Sequence, residues 1–264
     1  MKENLIDRKI ISTIGFPKSG NHWLERLVSQ SLNAKILEVN YFSGRLDNNS
    51  ANNQFLNNPD HQWVVTRTHK LPDDHKMADI SKFIYIIRDI RSILVSAFYH
   101  VNKVKYNPVK KSPNFFKNPF HFFSYIFWRM KFGKFVNDFC KNETLYHWKK
   151  TYGTWDESIN KWMAFGKENK DIFSYVRYES LMEDPLSSMR KIFKDLNFDV
   201  SENQILKTIE FQDFSNFRKR IKSEGVKQNM RSGKIDDYKF FLTASQESRI
   251  KDRFGETMKR YGYL

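Results

Sequence analysis

Cysteine is almost absent from this chain: Cys140 is the single one among 264 residues. An internal disulfide framework is thereby excluded, and a reducing, cytoplasmic compartment is expected. Glycine and proline are scarce, at 10 and 7 residues. No Gly/Ser-rich linker and no internal repeat divides the chain, so a single domain over residues 1–264 is the expectation. No apolar run is long enough to span a bilayer. The opening MKENLIDRKI also lacks the apolar stretch of a secretory signal. Acidic residues are the last shortage, with 30 Asp and Glu against 45 Lys and Arg, a formal charge of +15. That balance suits anionic partners, whether nucleotide, nucleic acid, anionic lipid or sulfated glycan, without choosing among them.

What is present is organised around Ile11 to Leu32, ISTIGFPKSGNHWLERLVSQSL. Apolar and β-branched residues open it as a buried strand. Gly15-Phe16-Pro17-Lys18-Ser19-Gly20 turns it, and the spacing of Trp23, Leu24, Leu27, Val28, Ser31 and Leu32 predicts a helix. Strand, glycine-bounded turn and helix aim backbone N–H groups and the positive end of the helix dipole at an anion. Gly15 and Gly20 have Walker A spacing, yet Asn21-His22 stands where that motif carries Lys-Ser/Thr, and the lysine lies inside the loop at Lys18. The pattern reads as a phosphate loop that is not a kinase or ATPase loop. Taken alone, Gly-x-x-x-x-Gly fits an ordinary strand-to-helix turn equally well.

Further strands are expected at Trp63–Thr68, Phe83–Arg88 and Ile172–Val176, each followed by turn or helix signals. The polar stretch 33–60 reads as loop with short elements. Asp89, Thr154, Asp184, Ser201 and Thr243 stand as helix N-caps, and Thr154 with Glu157 and Ser201 with Gln204 have capping-box spacing. The result is an α/β fold, a parallel sheet flanked by helices on both faces. Right-handed strand–helix units put Lys18, His69 and Arg88 at the carboxyl edge of that sheet, where open α/β sheets bind ligands. Trp155 and Trp162 share a helix face and read as core. No grouping of His, Cys and carboxylates suggests a metal.

The segment from about 102 to 150 is individual to this chain. Lys103, Lys105, Lys110, Lys111 and Lys117 lead into Phe120-His121-Phe122-Phe123-Ser124-Tyr125-Ile126-Phe127-Trp128. Such a run can join the core as a lid or helix, close over an apolar acceptor, rest on a membrane surface, or pack on a partner.

Four strings resemble one family. Phe16-Pro17-Lys18-Ser19-Gly20-Asn21-His22-Trp23 is similar to the 5′-phosphosulfate loop of the sulfotransferases that use 3′-phosphoadenosine 5′-phosphosulfate (PAPS), where the loop reads aromatic-Pro-Lys-Ser-Gly-Thr/Asn-Thr-Trp; His22 departs from it. Ile84 to Asp89 with Ser96-Ala97-Phe98-Tyr99-His100 resembles the family's 3′-phosphate motif. Arg177-Tyr178-Glu179 resembles its Tyr-Glu-Asp segment. Arg231-Ser232-Gly233 through Lys239 resembles its C-terminal Arg-Lys-Gly-x-x-Gly-Asp-Trp-Lys loop, with Ser232, Asp236 and Tyr238 departing. The four occur in the family's order.

The resemblance implies a P-loop-like sulfotransferase fold. It also implies sulfuryl transfer from PAPS to an acceptor hydroxyl or amine, with adenosine 3′,5′-bisphosphate as product and no metal. By the same resemblance Ser19, Gly20, Asn21 and His22 hold the 5′-phosphate. Arg88, Ser96, Arg231, Ser232 and Gly233 hold the 3′-phosphate, and Trp23, Tyr178 and Phe214 flank the adenine. Lys18 would stabilise charge on the bridging oxygen, and His69 would take the acceptor proton. The expected acceptor is an amphiphilic, lipid-linked or aryl alcohol, or a glycan, with no nucleic acid. A peripheral contact at the inner face of a membrane stays open. Two rivals remain: a P-loop phosphotransferase, and a basic nucleic-acid or membrane-surface binding protein with a degenerate nucleotide site.

Overall fold

Short apolar, β-branched segments pair into a five-stranded parallel sheet of order β2-β3-β1-β4-β5. Its strands are β1 (Lys9–Ile14), β2 (Lys35–Ile36), β3 (Trp63–Thr68), β4 (Lys82–Ile87) and β5 (Phe173–Arg177). The computed structural model describes residues 9–36, 63–73, 80–102, 119–213, 216 and 235–264. The chain divides into two compact units, Met1–Arg88 with Ser158–Gln228, and Asp89–Glu157 with Asn229–Leu264. Three strands match the expected segments to within one residue at each end. Of the stretch expected as loop, the two residues of β2 are strand, and the part beyond residue 36 lies outside the described residues.

The first unit holds the sheet. Register runs Ile14↔Thr68 between β1 and β3, Ile14↔Tyr85 between β1 and β4, and Ile87↔Arg177 between β4 and β5. In that register β1 and β3 end level and β4 runs two residues further, so Gly15, His69 and Arg88 follow three adjacent strand ends. Side chains alternate between the faces. One face carries Ile11, Val65, Ile84, Ile86 and Val176. It is covered by Leu24, Leu27 and Val28 of α1 (Asn21–Ser31), by Leu181 of α6 (Tyr178–Glu183), by Met189, Ile192 and Phe193 of α7 (Pro185–Asp195), and by Ile205 of α8 (Glu202–Gln212). The other face carries Phe83, whose ring lies 5.5 Å from Trp162 and 5.1 Å from Phe165, both in α5 (Trp155–Glu168). Tyr85 on that face meets Ser158 Oγ at 2.8 Å through its hydroxyl. Removing one such buried side chain, Leu27→Ala for example, costs about 2–5 kcal/mol.

The expected helix caps are present, and one of the expected capping boxes departs instructively. Asp184 accepts from the Ser187 N–H at 3.0 Å, with Pro185 following it. Thr154 and Glu157 form a reciprocal box at 3.2 and 3.3 Å. Ser201 caps α8 through the Gln204 N–H at 3.2 Å, but the Gln204 side chain donates instead to the Gln30 carbonyl, also at 3.2 Å. The expected box is therefore half a box, because Gln204 ties α8 to the end of α1.

The second unit is helical: α2 (Ile90–Val101), α3 (Pro119–Asn142), α4 (Tyr146–Tyr152), the first turn of α5, a 3-10 helix at Asp237–Phe240, and α9 (Ala244–Arg260). Phe98, Trp128, Phe132, Phe139, Trp155, Phe241 and Phe254 are buried. Thr243 and Gln246 close a full capping box at the start of α9. Asp89 caps α2 through the Arg91 N–H and grips the Arg91 guanidinium at 2.6–3.0 Å. The aromatic segment is a 24-residue helix whose aromatics divide. Trp128, Phe132 and Phe139 are core, whereas Phe123, Ile126, Phe127 and Met130 are exposed.

Candidate functional site

Most of the described candidate residues lie in the first unit, in the loop between β1 and α1, at the start of α1 and at the ends of β3, β4 and β5. The Ser19 N–H bonds the Phe16 carbonyl at 3.1 Å and closes the turn. Lys18 at φ 73° and Gly20 at φ 107° both occupy the left-handed region. Glycine enters that region freely, while for lysine it is a strained choice that the surroundings must hold. A side chain on Gly20 has no room, since a Cβ there would stand 2.7 Å from Cδ2 of Tyr178. One on Gly15 would stand 2.6 Å from the Ile86 carbonyl oxygen. The spacing of the two glycines is thus set by close approach as well as by the turn.

Asn21 opens α1 with its carboxamide turned inward. Its Nδ2 donates to the Thr68 carbonyl at 3.3 Å and to the Gly15 carbonyl at 3.5 Å. The side chain of this residue, expected at a phosphate, therefore clasps two strand ends. Gly15 also accepts from His69, whose Nδ1 is 2.6 Å from the same oxygen. A carbonyl only accepts, so Nδ1 carries the proton and Nε2 keeps the lone pair. Burial pushes the His69 imidazole down to about 4, against the Gly15 hydrogen bond, and Arg67 and Lys18 add to the lowering. Partial desolvation holds His22 down to about 4 as well, with Arg67, Arg26, His69 and Lys18 contributing, although the side chain is exposed at the helix start. Both imidazoles are neutral at pH 7.

Lys18 is lowered from its ordinary value by burial and then by Arg88. Among the described residues no carboxylate pairs with its ammonium. Arg88 Nη1 donates to the Lys18 carbonyl at 3.0 Å, and its guanidinium lies 4.1 Å over the Tyr178 ring. Tyr178 in turn meets Trp23 edge to face at 6.0 Å, and Trp23 Nε1 donates to the Gln212 carbonyl at 3.3 Å. Ser19 Oγ is buried and has no hydrogen-bond partner among the described residues.

Lys18, Ser19, Gly20, Asn21, His22, Trp23, His69, Arg88 and Tyr178 are thus brought to one end of the sheet. Ser96 lies in α2, in the second unit. Phe214, Arg231, Ser232 and Gly233 lie outside the described residues. Sequence reasoning missed the ion pair of Arg67 with Glu25 at 2.6 Å, which braces β3 against α1. The signal was available. Glu25 lies four residues from Asn21 and three from Val28 on the sheet-facing side of α1, where a carboxylate demands a cation.

A family model described as a sulfotransferase domain matches residues 8–262. The chain belongs to the sulfotransferase family. It is 23% identical over 268 residues to the 3-beta-hydroxysteroid sulfotransferase of Cavia porcellus, covering 94% of this chain and 83% of that one. Mouse sulfotransferase SULT7A1 complexed with PAP shares the fold, with a TM-score of 0.64, 19% identity, and 97% and 89% of the two chains covered. Retinol dehydratase in a complex with retinol and PAP does so with a TM-score of 0.62 and 17% identity, over 95% and 81% of the chains. The sulfotransferase is therefore an enzyme of sulfuryl transfer, and the phosphotransferase and purely binding readings are not favoured. No described helix is long and apolar enough to cross a membrane.

Proposed function

We propose that this sulfotransferase moves a sulfuryl group from PAPS to the hydroxyl of an acceptor with an apolar body. The observation that carries the reading is the loop from Lys18 to Gly20. It combines an ammonium with no described carboxylate partner, a buried Ser19 hydroxyl with no described hydrogen-bond partner, and a glycine that only a bare Cα allows against Tyr178. Those groups, with the N–H groups at the start of α1, suit a phosphosulfate. PAPS supplies the sulfuryl group and, after transfer, leaves as adenosine 3′,5′-bisphosphate.

The chain's own residues then divide the work. His69 receives the acceptor proton at Nε2, because Gly15 keeps Nδ1 protonated and the neutral form prevails at pH 7. Lys18 offers its ammonium to the negative charge that develops on the leaving phosphate oxygen. His22, neutral and exposed, serves as a donor to phosphate. Arg88 recognises the 3′-phosphate by its planar fork, and Tyr178 with Trp23 forms an aromatic flank for the adenine. Ser96, Phe214, Arg231, Ser232 and Gly233 keep their assigned roles on the family pattern alone.

The acceptor class rests on the segment 102–150 and on relatives named for a hydroxysteroid and retinol. Phe122 and Phe127 are the aromatics assigned to it. Replacing both by serine should raise the acceptor KM strongly and leave the nucleotide Kd unchanged. The cofactor reading is tested by calorimetry with adenosine 3′,5′-bisphosphate, 5′-AMP and ATP. The bisphosphate should bind far better than the other two, and equal affinities would sink it.

A further inference from the structure

The outer face of α3 has its own pattern, and Phe127 is the one residue it shares with the proposed acceptor site. Phe123, Phe127 and Met130 are 68%, 59% and 68% exposed, with Ile126 beside them at 38%. Their spacing, i, i+3, i+4 and i+7, makes one continuous stripe two turns long. Trp128, Phe132 and Phe139 on the opposite side already fill the core of the second unit, so burial of the inner face does not require the outer one to be apolar. Lys131 lies 4.4 Å over the Phe127 ring at the edge of the stripe, and Lys134 continues it one turn on. A further exposed aromatic, Phe240 at 69%, adjoins Phe241, whose carbonyl accepts from Arg129 of α3 at 2.5 Å.

Along the sequence that leads into and through this stripe the charge has one sign. Between Asp89 and Asp138 the sequence contains no acidic residue and nine basic ones. Apolar side chains at the centre and lysines at the margin are what a helix lying in a bilayer interface requires. The rings enter the boundary of the acyl chains, and the long cationic stems reach back to anionic headgroups.

We propose that the outer face of α3, Phe123-Ile126-Phe127-Met130 with Lys131 and Lys134, docks on an anionic lipid bilayer surface. The charge selects the occupant: a stripe whose own helix carries only cations as far as Asn137 complements a plane of anionic headgroups, and a second copy of this equally basic face would repel it. The attachment is peripheral and salt-sensitive, since much of it is screened Coulomb attraction.

The test is flotation of the intact protein with vesicles of phosphatidylcholine alone or of phosphatidylcholine with phosphatidylglycerol, at low and high salt. Strong flotation is expected with the anionic vesicles at low salt and little with the neutral ones. Phe123→Ser with Met130→Ser, and separately Lys131→Glu with Lys134→Glu, should each reduce partitioning roughly tenfold or more. Calorimetry with adenosine 3′,5′-bisphosphate serves as the folding control for both variants, because none of the substituted residues is assigned to the nucleotide. Failure of the unmodified protein to float overturns the proposal. So does flotation that survives the loss of Phe123 and Met130, which would assign binding to net charge alone. Sedimentation showing a dimer that the Phe123→Ser, Met130→Ser variant abolishes would give the face to a second copy and also overturn it. None of these outcomes depends on turnover, so the result is independent of the proposed reaction.

Discussion

Nδ1 of His69 stands 2.6 Å from the carbonyl oxygen of Gly15. That contact joins the first glycine of the phosphate loop to the proposed base, and it decides which imidazole nitrogen is basic. It also explains how the base and the loop come to face one place, since β1 and β3 are neighbours in register at Ile14 and Thr68.

His69→Ala should lower turnover by about 10²–10⁴-fold, the usual contribution of a positioned base, while the affinity for adenosine 3′,5′-bisphosphate stays near normal. His22→Thr, which installs the residue usual in the family's loop, should preserve turnover. Steady-state kinetics on the two variants check the roles, and the opposite pattern would exchange them.

Acid should destabilise the fold through His69. Its folded pKa, about 4, lies below its ordinary value of 6.5, so the unfolded chain binds the extra proton between those values. The contribution is complete above pH 6.5 and is lost as the pH falls towards 4, roughly 3 kcal/mol in all. Urea unfolding at pH 7.5 and pH 5 measures it. His69→Asn should reduce the pH dependence, with His22, also held near 4, among the groups that keep the rest, and an undiminished slope would mean that other groups carry all of it.

Arg88→Ala should remove most of the preference for the 3′-phosphate, since a charge-assisted contact is worth about 1.5–3 kcal/mol. Arg88 also holds the Lys18 carbonyl and covers the Tyr178 ring, so Arg88→Lys should rescue only part of the affinity. Calorimetry with the bisphosphate and with 5′-AMP gives both numbers; full rescue by lysine would show that charge alone is used.

Gly20→Ala meets two obstacles, the φ of 107° and the Tyr178 ring 2.7 Å from the new Cβ. We expect a loss of about 1–3 kcal/mol from strain, read as a lowered Tm, and weaker nucleotide binding. Adding Tyr178→Ala relieves only the collision. The double variant should therefore regain part of the Tm and none of the affinity.

The strands, the loop and most helix starts were legible because each is written locally, in alternation, paired glycines or a cap residue. Contacts that join distant stretches were not. Asn21 is expected at the phosphate from the family's loop, and only the approach of β3 shows that its carboxamide rests on the Thr68 carbonyl. Gln204 looked like the second half of a capping box until Gln30 came within reach. In α3 nearly every position from Phe120 to Trp128 is apolar, so the sequence has no polar face to reveal its phase. The division between Trp128 and Phe127 appears only once α2 and α9 are packed. The roles of Phe214 and of Arg231 to Gly233 remain expectations from the family's motifs.

The clasp of Asn21 across the ends of β1 and β3 has a kinetic consequence. A loop tied to the sheet by its own first helical residue is built before any nucleotide arrives, with little chain to freeze on binding. Association should then be limited by encounter, hastened by the cations at the loop, and should show a single fast phase in stopped flow. Amide protons from Gly15 to Leu24 should exchange slowly in the nucleotide-free protein, and Asn21→Ala should release them.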